Sequence, residues 1–64
     1  MPQTELVLRY MERYGWIDAW TAAVELRCMR LAARIADLKK QGVPIKTEMR
    51  SRDGKRWAVY ALDT

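Results

Sequence analysis

Histidine is absent from this 64-residue chain, and cysteine occurs once, at Cys28. The first absence removes the commonest general base and metal ligand. The second excludes an intramolecular disulfide and a cysteine-based zinc site. Long apolar runs are missing as well. The longest, Trp57 to Leu62, has six residues, against the about 20 of a membrane span and the roughly 7–15 of a signal-peptide core. Repeats and low-complexity stretches are lacking too. A single domain over residues 1–64 is expected, in a reducing, cytoplasmic setting. No membrane, metal, cofactor or small-molecule substrate is expected as a partner. A fold of this size buries only about 60% of the surface its unfolded chain exposes, which leaves no room for a deep cleft beside the core. No nucleophile–base pair is present to work in one, so an enzyme is not expected.

Positive charge is abundant and unevenly placed. Residues 1–26 carry Arg9 and Arg13 against Glu5, Glu12, Asp18 and Glu25, a net −2. Residues 27–56 carry ten lysines and arginines against Asp37, Glu48 and Asp53, a net +7, and Asp63 returns the total to +4. So concentrated a charge in the middle of a small domain predicts one basic surface and a polyanionic partner.

The chain reads as three helices and a hairpin. Pro2 cannot lie inside a helix, so a first helix is expected from Thr4, as N-cap, to Tyr14, with Gly15 as its stop. Leu6, Tyr10 and Tyr14 share a face, flanked by Val7 and Met11. Trp16-Ile17 is long enough only for a scrap of strand. Asp18 then caps a second helix through Leu26, whose Ala19, Ala22, Ala23 and Leu26 make a small-residue face. A turn at Arg27-Cys28-Met29 leads into a third helix, from Arg30 to Gln41, ended by Gly42 and Pro44. This stretch organises the rest. Leu31, Ile35 and Leu38 form a narrow apolar stripe. Met29, Arg30, Ala33, Ala36, Asp37 and Lys40 lie on the opposite face, with Arg34 on the flank. Two strands follow, Val43 to Arg50 and Arg56 to Leu62, joined by Ser51-Arg52-Asp53-Gly54-Lys55. Asp-Gly between alternating runs is the strongest short hairpin signal. Tyr60 and Leu62 are assigned to the core side, and Arg50, Arg52, Lys55 and Arg56 to a basic tip.

Two short helices joined by a tight turn make a helix-turn-helix, whose second helix docks in the major groove. Here the segment Arg30-Leu31-Ala32-Ala33-Arg34-Ile35, the step Asp37-Leu38-Lys39, the exit Gly42-Val43-Pro44-Ile45 and the ending Ala58-Val59-Tyr60-Ala61-Leu62 resemble a family of small winged helix-turn-helix proteins from bacteriophages and prophages. The resemblance covers residues 4–62. It implies an α+β fold, three helices followed by a C-terminal two-stranded wing, and a DNA-binding or regulatory role. Two residues depart from the family pattern. Arg27 stands where the turn usually carries glycine, and Met29 stands where the recognition helix usually opens with threonine or serine. Met29 has no side-chain oxygen to cap with, which forgoes about 1 kcal/mol of helix stability.

The candidate interface with double-stranded DNA is therefore Arg27, Met29, Arg30, Ala33, Arg34, Asp37 and Lys40 on the helix, with Arg50, Arg52, Lys55 and Arg56 on the wing. Arg30 and Arg34 are suited to guanine O6 and N7, and Asp37 to cytosine N4. Arg34 has a rival role as an ion-pair partner of Asp37, three residues on. Lys39 and Lys40 suit phosphates or the helix C-terminus. Met29 suits a thymine methyl or a protein partner. Cys28 reads as a small turn or core residue. Trp16 is expected to plug the core, while Trp20 and Trp57 are expected to be partly exposed. Stacking on bases by Trp57 would need single strands, for which nothing else in the sequence argues. A homodimer on a two-fold site is one expected assembly. A protein-interaction module that binds a host protein through the same basic face stays open as the alternative.

Overall fold

The computed structural model describes residues 2–63; Met1 and Thr64, the outermost residues of the expected domain, lie outside that range. The described residues form helix α1 (Gln3–Tyr14), strand β1 (Ile17–Asp18), helices α2 (Ala19–Leu26) and α3 (Leu31–Lys40), and strands β2 (Ile45–Arg52) and β3 (Lys55–Leu62). The strands make one antiparallel sheet in the order β1-β3-β2. The hairpin is thus not alone: Ile17 pairs with Tyr60 and Asp18 with Val59, and the last strand becomes the middle one.

Each helix boundary has a local cause. Pro2 is extended, with φ −62° and ψ 146°, and stands at the N-cap of α1. Thr4 therefore lies inside the first turn rather than capping it, because proline at the boundary needs no N–H of its own. Gly15, at φ 88°, turns the chain out of α1, its N–H donating to the Met11 carbonyl at 2.8 Å. Asp18 caps α2 as expected, its carboxylate accepting from the Thr21 N–H at 2.7 Å. Helix α3 closes in a Schellman motif. Val43 N–H donates to Leu38 O at 3.1 Å and Gly42 N–H to Lys39 O at 3.0 Å, with Gly42 at φ 90°.

The core is drawn from every helix. Val7 and Met11 of α1, Ile17, Ala22 and Cys28 meet Leu31, Ile35 and Leu38 of α3, all nearly inaccessible to solvent. Burying an aliphatic side chain of the α3 stripe contributes about 1.5–3 kcal/mol. Tyr10, Val43, Ile45, Tyr60 and Leu62 pack around this cluster, which places Tyr60 and Leu62 on the core side as the alternation predicts. On α2 only Ala22 of the small-residue face is buried, and Ala19 is exposed. Partial burial, then the carboxylate of Glu25, then Tyr14 and Asp18, raise the Tyr10 phenol above its ordinary pKa of 10.0.

The hairpin is tighter than the expected five-residue connection. Asp53 at φ 52° and Gly54 at φ 78° make a two-residue turn, and Arg52 pairs directly with Lys55. Left-handed conformations at both central positions match the twist of the flanking strands, so pairing extends to the tip.

The outer face of the sheet is partly covered as well. Val59 alternates with Tyr60, so it faces away from the core, yet it is only 4% exposed. The segment Tyr14-Gly15-Trp16 crosses above it. Trp16 therefore does not plug the core between the helices. None of the three tryptophans is buried, contrary to the expectation of at least one in the core: Trp16 is 40% exposed, Trp20 77% and Trp57 36%.

Candidate nucleic-acid interface

Helix α3 presents its charged side to solvent because Leu31, Ile35 and Leu38 hold the other side in the core. Its entry is unusual. Arg27 adopts φ 53° and ψ 33°, the left-handed conformation that glycine takes at little cost. This conformation lets the Cys28 N–H reach back to the Ala22 carbonyl at 2.9 Å and buries Cys28, leaving the Arg27 side chain exposed. Met29 lies in the turn, 81% exposed. Arg30, rather than Met29, is the N-cap of α3, and no side chain caps the helix. The uncapped N–H groups of its first turn are the kind that donate to a phosphate or carboxylate.

Beyond the entry, Arg30 and Lys40 are exposed, and Ala33 is partly covered between them. Arg34 and Asp37 form an ion pair at 3.2 Å, so the two expected base contacts on this part of the helix engage each other. The Arg34 Nε is buried without a hydrogen-bond partner. Among the described residues Arg30 joins no ion pair; the pairs formed are Arg9–Glu5, Arg34–Asp37 and Arg50–Glu48.

The basic tip is not one cluster. Strand register sets Arg50 opposite Trp57, Ser51 opposite Arg56, and Arg52 opposite Lys55. Since cross-strand partners share a face, Arg50, Arg52 and Lys55 lie on the outer face and Arg56 on the other. The same alternation places Lys46 on the outer face. Lys46 is absent from the candidate set read from the sequence, although its period-2 spacing with Arg50 and Arg52 is visible there.

Three helices, a tight turn between the second and third, and a twisted basic hairpin after them set the frame for a family match. The family described as winged helix-turn-helix domain matches residues 2–64. The chain belongs to that family. No curated protein and no solved structure matches it significantly. In winged helix-turn-helix terms, α2 and α3 are the helix-turn-helix, α3 holds the position of the recognition helix and β2–β3 that of the wing. The small β1 strand ties the wing to the start of α2. No described helix is long and apolar enough to cross a membrane, and the described residues hold no group of three or more metal-ligating side chains.

Proposed function

We propose that this winged helix-turn-helix domain is a non-enzymatic, phage-type protein that binds duplex DNA and regulates transcription. The observation that carries this reading is the recognition helix itself. Its apolar stripe is consumed by the core, and its solvent side offers Arg30 unpaired beside small alanines that let a groove wall approach the backbone. Arg30 is the lead base reader, toward guanine O6 and N7. Arg34 and Asp37 join once their mutual pair opens. Lys39 and Lys40 meet phosphates, as do Arg27 at the turn and Arg50, Arg52, Lys55 and Arg56 of the wing. Met29 and Ala33 make apolar contact with the groove. A homodimer on a two-fold site is part of the proposal, because one module this small offers little interface.

Binding to a labelled duplex, followed by anisotropy across a salt series, tests the reading. Neutralising about five phosphates, fewer than the seven cations named because the wing's are split between two faces, gives a log–log slope near −4.5, by the roughly −0.9 per phosphate rule. An affinity that ignores salt overturns it. Trp20 and Val24, four residues apart and both exposed on α2, favour a second reading, in which the domain binds a host protein. Retention of one protein partner from host lysate after nuclease treatment supports that alternative.

A further inference from the structure

The outer face of the sheet carries aromatic side chains for which duplex binding has no use. Tyr60 and Leu62 pack into the core that also takes the α3 stripe, so the alternate residues of β3 look away from it. On that face Lys46 stands opposite Ala61, Glu48 opposite Val59, and Arg50 opposite Trp57. Arg52 and Lys55 continue it toward the tip. Four cations thus share the face with two carboxylates, Glu48 and Asp18. The Asp18 carboxylate already serves as the α2 cap, and Glu48 lies 3.8 Å from Arg50 in a loose, exposed pair.

Aromatic rings are interleaved with these charges. Tyr14 and Trp16 wall a half-open groove of about 370 Å³, floored by Val59 and Ala61 and rimmed by Lys46, Glu48 and Arg50. This is the lower end of ligand-sized clefts, about 300–1,000 Å³: space for one flat ring system and none for a double helix. The wall is preset. The Tyr10 ring lies 4.5 Å from that of Tyr14, and the Arg13 guanidinium 5.4 Å from the Tyr14 centroid. Gly15, in its left-handed conformation, carries the chain from Tyr14 to Trp16. One same-face step from Val59, about 7 Å along the strand, Trp57 offers a second, partly exposed ring beside Arg50.

We propose that this outer sheet face binds a single-stranded nucleic acid, with one base in the groove against Trp16, a neighbouring base stacked on Trp57, and phosphates along Lys46, Arg50 and Arg52. Aromatic rings alternating with cations on an open sheet suit unpaired bases, whose π-faces are free, and do not suit a duplex, whose bases are already stacked. The proposal stands on the sheet and does not depend on α3 reading duplex DNA.

Anisotropy of labelled oligothymidylate and oligouridylate, each against the full chain and repeated with excess unlabelled duplex, tests it. Saturable binding of either strand is expected, with quenching of tryptophan emission by the unlabelled oligonucleotide. The tighter of the two assigns DNA or RNA. Trp57→Ala weakens binding roughly five- to one-hundred-fold, as loss of a stacking platform does, and Trp57→Phe restores most of it. The double variant Lys46→Ala with Arg50→Ala weakens it with a shallower salt slope. Arg30→Ala leaves it unchanged while weakening the duplex complex, so the two readings fail separately. No saturable single-strand binding, full affinity in Trp57→Ala, or loss of single-strand binding in Arg30→Ala overturns the proposal.

Discussion

The guanidinium of Arg34 and the carboxylate of Asp37 face each other across one turn of α3, 3.2 Å apart and both half-buried, on the flank of the helix. A base that recruits Arg34 must first take it from Asp37, and the carboxylate itself repels the phosphates flanking a groove. Replacing Asp37 with Asn therefore tightens binding to duplexes of arbitrary sequence roughly three- to tenfold, removes any preference for cytosine at its position, and leaves Arg34→Ala the more damaging change. Stability changes by about 1 kcal/mol or less, since a half-buried i, i+3 helix pair is worth little. Duplex titrations and urea melts of the two variants check both halves of the statement.

Arg27 separates backbone from charge. Its left-handed φ of 53° costs about 1–2 kcal/mol in a residue with a Cβ. Glycine removes that strain but loses about 0.4–1 kcal/mol to its freer unfolded state. Arg27→Gly is therefore expected to stabilise the fold by about 0.5–1 kcal/mol, whereas Arg27→Ala keeps the strain and does not. Both remove the same charge, so both weaken duplex binding alike. An Arg27→Gly variant less stable than Arg27→Ala by about 0.4–1 kcal/mol would show that the turn carries no strain.

Leu38 is the largest α3 side chain that is almost wholly buried, at 1% exposure. Truncation to Ala costs about 2–5 kcal/mol, comparable with the roughly 3–5 kcal/mol that a core of this size supplies. Leu38→Ala is expected to be largely unfolded at 25 °C by circular dichroism, and to lose duplex binding in proportion to the folded fraction.

The raised pKa of the Tyr10 phenol makes the fold favour its neutral form. The corresponding stability is complete below the ordinary pKa of about 10 and is lost as pH climbs through the higher folded value. Between about pH 8 and pH 11 the urea midpoint of the parent chain falls further than that of Tyr10→Phe. Parallel curves for the two proteins would refute the assignment.

The helices were legible because their signals are local. Leu31, Ile35 and Leu38 repeat at helical spacing, Asp18 caps, Gly15 and Gly42 stop, and Asp53-Gly54 turns the hairpin. Strand β1 was legible only as a scrap at Trp16-Ile17; Ile17 and Asp18 have no period, and their place in the sheet is set only through Tyr60 and Val59. The position of Trp16 failed for a related reason. A tryptophan is large enough to be assigned to a core by default, and only the course of the chain after Gly15 sets it on the far side of the sheet. On the candidate interface, the basic residues were readable as a set, but their division was not. Whether Arg50 and Arg56 share a face depends on a register that the two-residue turn shifts, and whether Arg34 is occupied depends on its rotamer against Asp37.

The strand order β1-β3-β2 also carries a consequence for biosynthesis. The middle strand is the last of the three to be translated, so neither β1 nor β2 has a partner until residue 62 has left the ribosome. The helices can meet earlier, but Ile45 and the core side of the sheet arrive only at the end. Folding would therefore begin with α1 to α3 held loosely around Leu31, Ile35 and Leu38. It would finish in a single closing step when β3 slots between two waiting edges.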